Sequence, residues 1–316
     1  MIINILLIIA GFILLVKGAD WLVEGASGIA KKFHIPEIII GLTIVSIGTS
    51  MPELFVSVTS AMKNLEDISL GNVIGSNICN LLLILGLSAT INPIIFKKET
   101  KMFEIPMNLG ITILFLILCN IGNEVSRIDS IILLAVFVIF ITYTIIMAKK
   151  GNNLNKIEET EKNKKTRKTI LDIVFILLGV IALKFGGDFV VNNSEAIAKM
   201  FNISEKIIGL TIVAIGTSLP ELVTSVTAAI KKNSDIAIGN IIGSNIFNFL
   251  FIIGIAGSIN PIKYNPSYNL QMIILLVATF VLGLFPHTDR KDEMTQSNGI
   301  TYLMLYALYM VVLFVK

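Results

Sequence analysis

A stretch of 21 residues occurs twice in this chain and constrains its fold more than any other feature. Residues 41–61 read GLTIVSIGTSMPELFVSVTSA and residues 209–229 read GLTIVAIGTSLPELVTSVTAA, so 16 of 21 positions are identical at an offset of 168 residues. The same offset aligns GNVIGSNICN, at residues 71–80, with GNIIGSNIFN, at residues 239–248. The chain therefore contains two copies of one ancestral unit.

The composition places both copies in a membrane. The 316 residues are 54% hydrophobic and only 15% charged, with a mean hydropathy of +0.84, whereas soluble domains average about 25% charged residues. Apolar runs of helix-spanning length recur throughout, and the short alternating segments of a β-barrel are missing. We therefore predict an all-α integral membrane protein whose partner is the lipid bilayer, with no nucleic-acid partner.

The apolar runs predict ten membrane spans. They are Ile2–Ile29, Glu37–Met62, Ile68–Ile91, Phe103–Ile121, Ile128–Ala148, Thr169–Ile197, Glu205–Ile230, Ile236–Ile259, Asn269–Phe285 and Ile300–Val315. Residues 1–148 form the first five-helix repeat, residues 149–168 a mobile polar linker and residues 169–316 the second repeat. Because five crossings return the chain on the opposite side, the second repeat must be inverted, which is the plan of secondary transporters.

Basic residues predict the orientation of these spans. With the N-terminus outside, seventeen lysines and arginines lie on the inner side, eight of them in the linker, and six lie on the outer side. Because basic residues are enriched in cytoplasmic loops, we expect a cytoplasmic linker and two extracellular termini in the cell membrane.

The second span carries one polar stripe on an apolar helix, since its polar residues are three or four positions apart. The stripe is Ser46, Thr49, Ser50, Glu53, Ser57 and Ser60, and its counterpart in the seventh span is Ala214, Thr217, Ser218, Glu221, Ser225 and Ala228. Pro52 and Pro220 lack the N–H that a helix requires, so both helices should break there. The second and seventh helices are therefore predicted to be broken beside a glutamate.

A broken helix in a membrane exposes backbone carbonyls, which must face protein, water or an ion. Carbonyl groups beside a carboxylate suit a hard cation such as Na⁺ or Ca²⁺. The third and eighth spans add Asn72, Ser76 and Asn80, and Asn240, Ser244 and Asn248. A single hydroxyl in a membrane helix usually bonds the preceding turn, but a buried glutamate is costly enough to indicate function. In these two spans Gly71 and Gly75, and Gly239 and Gly243, have the spacing of closely packed helices.

The paired motifs GTSMPE with GSNICN and GTSLPE with GSNIFN resemble the two α-repeats of the sodium/calcium exchanger family, within the cation/calcium antiporters. The resemblance covers nearly the whole chain and is closest to the compact prokaryotic members. It implies transported Ca²⁺ and Na⁺, no cofactor and no enzyme activity. It also implies that the first and sixth spans slide across the other eight spans. For the oligomeric state, we expect a monomer.

The resemblance also implies ligand positions. The four central positions fall on Glu53, Asn80, Glu221 and Asn248, with the two glutamates and the backbone oxygens of Thr49 and Thr217 as calcium ligands. Sodium sites would use Ser50, Ser76, Thr49 and the carbonyl of Ser46 on one side, and Ser218, Ser244, Thr217 and the carbonyl of Ala214 on the other. Asparagine at both positions 80 and 248, where some potassium-dependent members have an aspartate, implies potassium-independent exchange.

Other functions stay open at this point. A proton-coupled antiporter for Ca²⁺ or another divalent cation would also have acidic sites, but such relatives carry other residues in place of these motifs. A channel would give flux without a counter-ion. An intramembrane hydrolase could use Ser50 or Ser76, but neither His34 nor His287 lies in a predicted span, no membrane lysine is expected near these serines, and catalysis would not need a mirrored site.

Overall fold

The protein folds almost wholly into helices. The computed structural model describes residues 2–33, 35–62, 66–155, 169–200, 214–288 and 292–315. Among these residues, seven helices are long and apolar enough to cross a membrane, and the number is eight if Glu37–Thr49 and Met51–Met62, which meet at 49°, form one span. The chain is a multi-pass all-α membrane protein, and the total of ten spans stays a prediction.

In the first half, the helices follow the predicted apolar runs. The elements are α1 Ile2–Phe33, α2 Glu37–Thr49, α3 Met51–Met62, α4 with segments Glu66–Ile78, Cys79–Leu85 and Gly86–Ile91, β1 Ile94–Ile95, α5 with segments Thr100–Glu104 and Ile105–Asn120, β2 Glu124–Val125 and α6 Arg127–Asn155. Helix α6 continues past the predicted fifth span and ends at Asn155, within the residues assigned to the linker. Backbone N–H groups beyond the apolar run still find carbonyls four residues back, so the polar residues extend the helix.

The second half has the same order of elements. They are α7 Thr169–Met200, α8 Ala214–Thr217, α9 Leu219–Ile230, α10 with segments Ser234–Phe247, Asn248–Ile252 and Ile253–Ile259, β3 Ile262–Lys263, α11 Asn269–Thr288, β4 Glu293–Met294 and α12 Gln296–Val315. The start of the predicted seventh span, 205–213, the rest of the linker, 156–168, and His34 lie outside the described residues. His287 was predicted in a loop, but it lies in α11. Pro286 does not end this helix earlier, because a proline so near the helix end removes only one of the last backbone N–H donors.

The two longest helices, α1 and α7, pack with their backbones in contact. A Cβ added to Gly18 would lie 2.9 Å from the carbonyl oxygen of Gly179, and one added to Gly179 would lie 2.7 Å from the backbone nitrogen of Leu22. A Cβ on Gly186 would lie 2.8 Å from the carbonyl oxygen of Gly11. Within a membrane no hydrophobic force drives helices together, so their association depends on van der Waals packing. Glycines at a crossing allow the backbones to approach closely enough for this packing. The two helices therefore form one tightly joined pair.

Helix α10 occupies the centre of the molecule, and every residue from Asp235 to Phe247 is buried. It packs on α2 of the other half through the predicted glycines. A Cβ on Gly239 would lie 2.8 Å from the carbonyl oxygen of Ile38, and one on Gly243 would lie 2.7 Å from that of Leu42. The predicted close packing is confirmed for this pair, whereas the counterpart of this contact would involve residues 206–213, which lie outside the described part of the chain.

Within the described ranges, two short strand pairs and three ion pairs join the two halves near the helix ends and loops. Antiparallel β1 and β4 pair at one point and β2 and β3 at another. The ion pairs are Lys97 with Asp235, Lys101 with Asp292 at 2.7 Å, and Lys231 with Asp20 at 2.9 Å. Each link connects residues from different halves, so the two repeats are fastened at the surface as well as in the core.

Replacing Gly179 with alanine should destabilise the protein. Overpacking a close contact costs about 1–3 kcal/mol, which exceeds the gain of roughly 0.5–1 kcal/mol from removing a helical glycine. Gly187, on the same helix, has no described atom within 4 Å of an added Cβ and provides the matched control. The measurement is the apparent melting temperature in one detergent, where G179A should melt lower than the parent and G187A should not. Equal melting of the two variants would contradict the backbone contact between α1 and α7.

Candidate cation site

Both predicted helix breaks occur beside their prolines. Helix α2 ends at Thr49, Ser50 adopts φ −82° and ψ 10°, and α3 begins at Met51. In the second half Ser218 adopts nearly the same conformation, φ −86° and ψ 5°, between α8 and α9. Since Pro52 and Pro220 supply no N–H, the carbonyls one turn earlier lose their usual donors. Each break therefore places a serine at the turn and a glutamate in the first turn of the next helix.

The two glutamates are buried and held by serines. Only 1% of Glu53 and 1% of Glu221 is exposed. Ser50 donates a hydrogen bond to Oε1 of Glu221 at 2.8 Å, and Ser218 donates one to Oε1 of Glu53 at 3.4 Å. Ser76 also donates to Glu53 Oε1, at 3.4 Å. The serine of each break thus binds the glutamate of the other repeat, so the two breaks face each other.

A second set of hydrogen bonds ties the breaks to α4 and α10, and each bond has its counterpart in the other repeat. Ser50 bonds Ser244 at 3.0 Å, and Ser218 bonds Ser76 at 3.2 Å. The remaining bonds are Thr49 to Asn240 at 3.1 Å, Thr217 to Asn72 at 3.4 Å, Asn72 to Ser57 at 3.1 Å and Asn240 to Ser225 at 2.9 Å. Asn72 and Asn240 thus connect the two sides of the site and hold the broken helices in register.

Asn80 and Asn248 are held by two asparagines that the sequence reasoning did not single out. Asn80 Nδ2 donates to Asn245 Oδ1 at 3.0 Å, and Asn248 Nδ2 donates to Asn77 Oδ1 at 2.9 Å. Asn77 and Asn245 also bond each other's backbone carbonyls, at 3.3 and 3.4 Å. Both lie in the repeated GSN motif, so repetition at the 168-residue offset was the signal for them. These bonds occupy the amide nitrogens and leave the amide oxygens available.

Four buried side-chain oxygens of these glutamates and asparagines have no hydrogen-bond partner among the described residues. They are Glu53 Oε2, Glu221 Oε2, Asn80 Oδ1 and Asn248 Oδ1. Leaving a buried acceptor unpaired costs about 1–3 kcal/mol, and more for a charged one. In addition, the two carboxylates repel each other electrostatically. A hard cation among these oxygens would relieve both costs, because Na⁺ and Ca²⁺ take oxygen ligands.

Ser46 and Ala214, whose carbonyls are the predicted backbone ligands for sodium, lie one turn before the breaks. The hydroxyl of Ser46 donates to the carbonyl of Leu42 at 2.8 Å, and its own carbonyl accepts from the Thr49 hydroxyl at 3.2 Å. Ala214 is the first residue of α8, at the equivalent position. The hydrogen bonds thus collect the predicted residues in mirrored sets that each join the two repeats: Glu53 with Ser76 and Ser218, and Glu221 with Ser50 and Ser244. Thr49, with Ser46, and Thr217 attach through Asn240 and Asn72, whereas Asn80 and Asn248 form a separate set with Asn245 and Asn77.

Lys184 is a basic residue within a predicted span, but its described contacts are not with Ser50 or Ser76. Lys184 of α7 places its Nζ 5.4 Å from the ring centroid of Phe55, two residues after Glu53. The described contacts of Lys184 are cation–π contacts with the rings of Phe55 and Phe185. Among the described contacts of Ser50 and Ser76 there is no basic group that would activate a serine as a nucleophile.

Comparison with known proteins places the chain in a family. A family model described as sodium/calcium exchanger protein matches residues 3–146 and 171–315. The chain is 35% identical over 352 residues to the sodium/calcium exchanger MaX1 of Methanosarcina acetivorans, covering 99% of each chain. It is 36% identical over 280 residues to the inner membrane protein YrbG of Escherichia coli, covering 86% of each.

A solved structure of the sodium-calcium exchanger NCX_Mj, soaked with 2.5 mM Na⁺ and 0.1 mM Ca²⁺, is 33% identical to this chain. Its TM-score is 0.85, and 98% of each chain is covered. The resemblance inferred from the two repeated motifs is thus confirmed over both halves. Its repeated motifs, its helical fold and these matches together make the chain a member of the sodium/calcium exchanger family, of the compact prokaryotic type.

Proposed function

We propose that the protein is a secondary active antiporter that exchanges several Na⁺ for one Ca²⁺ across the cell membrane by alternating access. The observation that carries the proposal is the pair of buried carboxylates, Glu53 and Glu221, each of which accepts a hydrogen bond from a serine of the other repeat. The relatives named sodium/calcium exchangers supply the identity of the two ions. In this proposal the protein catalyses no covalent reaction and needs no cofactor.

Calcium in this proposal binds between the two glutamates. Its ligands are the four unpartnered oxygens and the backbone oxygens of Thr49 and Thr217, which together reach the about six to eight oxygens that Ca²⁺ takes. Because both repeats within one chain contribute, a monomer has a complete site.

Sodium binds on either side of the calcium position. One set is Ser50, Ser76, Thr49 and the carbonyl of Ser46, and the other is Ser218, Ser244, Thr217 and the carbonyl of Ala214. A serine that donates its proton to a glutamate and accepts one hydrogen bond keeps a lone pair for a cation, so Ser50 and Ser218 are able to bridge a sodium ion and a carboxylate. Sodium and calcium then compete for the same glutamates and bind in turn.

The charge of the site makes exchange electrogenic in this proposal. Two carboxylates neutralise one Ca²⁺, and more than two Na⁺ leave the loaded site positive. Each cycle then moves net charge across the membrane, with a driving force of about 2.3 kcal/mol per charge per 100 mV.

The hydrogen bonds of Asn80 and Asn248 support potassium-independent exchange in this proposal. Asn248 must donate from its Nδ2 to Asn77, and Asn80 must donate to Asn245. An aspartate at either position would lose that donor and add a third negative charge. Amide side chains at both positions therefore keep the central charge at two, which one calcium ion balances.

The proposed architecture is two inverted repeats of five spans, with a cytoplasmic linker and extracellular termini. Its support is that the hydrogen bonds of the site recur at the 168-residue offset. This topology also places loops that pair with each other on the same side of the membrane. The pair β1 and β4 lies on the linker side. The pair β2 and β3 lies on the other side, as do Asn120 and Asn269, whose side-chain amides bond each other. The tightly joined α1 and α7 are the pair that slides to expose the site alternately.

Removing either carboxylate should abolish exchange. In E53Q or E221Q only one buried negative charge remains to hold a divalent ion. Losing one partner of a buried charge pair costs about 3–5 kcal/mol. Sodium-driven ⁴⁵Ca²⁺ uptake into proteoliposomes should therefore fall at least about a hundredfold. Glu124, which is exposed on β2, provides the control E124Q. Full uptake by either site variant would refute the assignment.

The coupling ion and the net charge movement are tested with imposed gradients. An outward Na⁺ gradient should drive ⁴⁵Ca²⁺ into proteoliposomes, and an interior-positive potential set with valinomycin should accelerate uptake, because more positive charge leaves with sodium than enters with calcium. A proton gradient without sodium should drive none, and uptake should not require K⁺ once the potential is clamped by another means. Uptake driven by a pH gradient in sodium-free medium would favour the proton-coupled alternative instead.

A further inference from the structure

Helix α5 carries a buried polar stripe that the transport site does not use. Thr100, Glu104 and Asn108 are four residues apart, and each is 1% exposed. The first four-residue step lies in the π-helical segment Thr100–Glu104, and π segments inside membrane helices often occur at functional sites. Residues at this spacing share one face of the helix, so the three side chains form one column, hereafter the α5 stripe.

The polar atoms of the α5 stripe have no protein partner among the described residues. Unpartnered atoms are Thr100 Oγ1, both carboxyl oxygens of Glu104, and both Oδ1 and Nδ2 of Asn108. By contrast, Thr112, one turn further along, donates to the carbonyl of Asn108 at 2.8 Å, as membrane hydroxyls usually do. Since each buried unpaired polar group is costly, three consecutive ones on a single face indicate a ligand.

The α5 stripe is not part of the duplicated site. At the 168-residue offset its counterparts are Tyr268, Met272 and Leu276, so the second repeat has one aromatic and two apolar residues there. Every ligand position of the central site keeps its oxygen function in both repeats, and this column does not. It is therefore a feature of the first repeat only, with a role separate from the mirrored exchange site.

The charges around Glu104 determine which ligand fits. Glu99 and Asp235 lie within Coulombic range of Glu104, but Asp235 is paired with Lys97 and Glu99 is exposed to solvent. Lys101, on the same helix, is paired with Asp292. Glu104 therefore has no ion-pair partner within the described part of the chain, and one monovalent cation would balance its buried negative charge. Tyr143 of α6 also lies within Coulombic range of Glu104, and its hydroxyl has no partner among the described residues. Its ring contacts the ring of Phe103.

We propose that the α5 stripe binds one sodium ion in competition with a proton. Glu104 supplies a carboxylate, and Thr100 and Asn108 supply neutral oxygens, the same ligand types that form the central site. In the exchange Glu104 loses its carboxyl proton to the medium and Na⁺ takes its place, so charge is conserved. This site does not depend on which ions the central site carries, and it adds a second sodium dependence at the loop end of α5.

The test uses the full-length protein with the central carboxylates neutralised. In the E53Q/E221Q double variant, ²²Na⁺ binding and proton release into a weakly buffered medium are measured together across a series of pH values. We expect a sodium-binding component that adding E104Q removes, accompanied by proton release at acidic pH that K⁺ and choline do not cause. Melting temperature and gel filtration show that each variant is folded.

The neutral ligands have matched variants taken from the chain itself. N108L introduces the residue found at the equivalent position 276, and T100V removes one hydroxyl at nearly constant volume. Each should weaken sodium binding roughly tenfold or more, as expected when a charged pair loses a buried neutral partner, while leaving Glu104 able to take a proton. Sodium binding unchanged by E104Q, unchanged by both N108L and T100V, or missing at every pH would overturn the proposal.

Discussion

Two buried carboxylates of like charge, each held by a serine from the opposite repeat, are the constraint on which the rest of the structure depends. Glu53 and Glu221 are both almost fully buried, and the serine bonds to their Oε1 atoms leave both Oε2 atoms unpaired. Such a pair is unfavourable unless a cation lies between it. The fold must therefore bring the two breaks together closely while keeping their free oxygens aimed at a common centre.

Glycine-mediated packing meets this requirement. Helices α2 and α10 touch through Gly239 and Gly243, which positions Asn240 and Ser244 against Thr49 and Ser50. Helices α1 and α7 are joined in the same way along their length, and so act as a unit beside the core. In the proposed alternating-access mechanism, this joined helix pair moves across the site. The ligands then stay fixed while their access to each side of the membrane changes.

The apolar runs and the duplicated motifs were sufficient to predict a multi-pass helical protein, both helix breaks and the two buried glutamates, because periodicity, proline chemistry and the cost of buried charge are local properties. The crosswise bonding of Ser50 to Glu221 was not predictable, since the sequence does not show which face of each break meets the other. Asn77 and Asn245 were missed because their role depends on a contact between the repeats. The α5 stripe was missed for a different reason: its burial depends on contacts with other helices, and Thr100 lies before the predicted start of the fourth span.

The central claim is that one site, shared by both repeats, binds Ca²⁺ and Na⁺ in turn. Long-wavelength anomalous diffraction from crystals soaked in Ca²⁺ tests it most directly, since it locates calcium without assuming a transport model. The account predicts one calcium peak within bonding distance of both Glu53 and Glu221, which disappears when Na⁺ replaces Ca²⁺ in the soak. Calcium bound elsewhere in the protein with this centre empty, or a central peak that sodium does not displace, would contradict it.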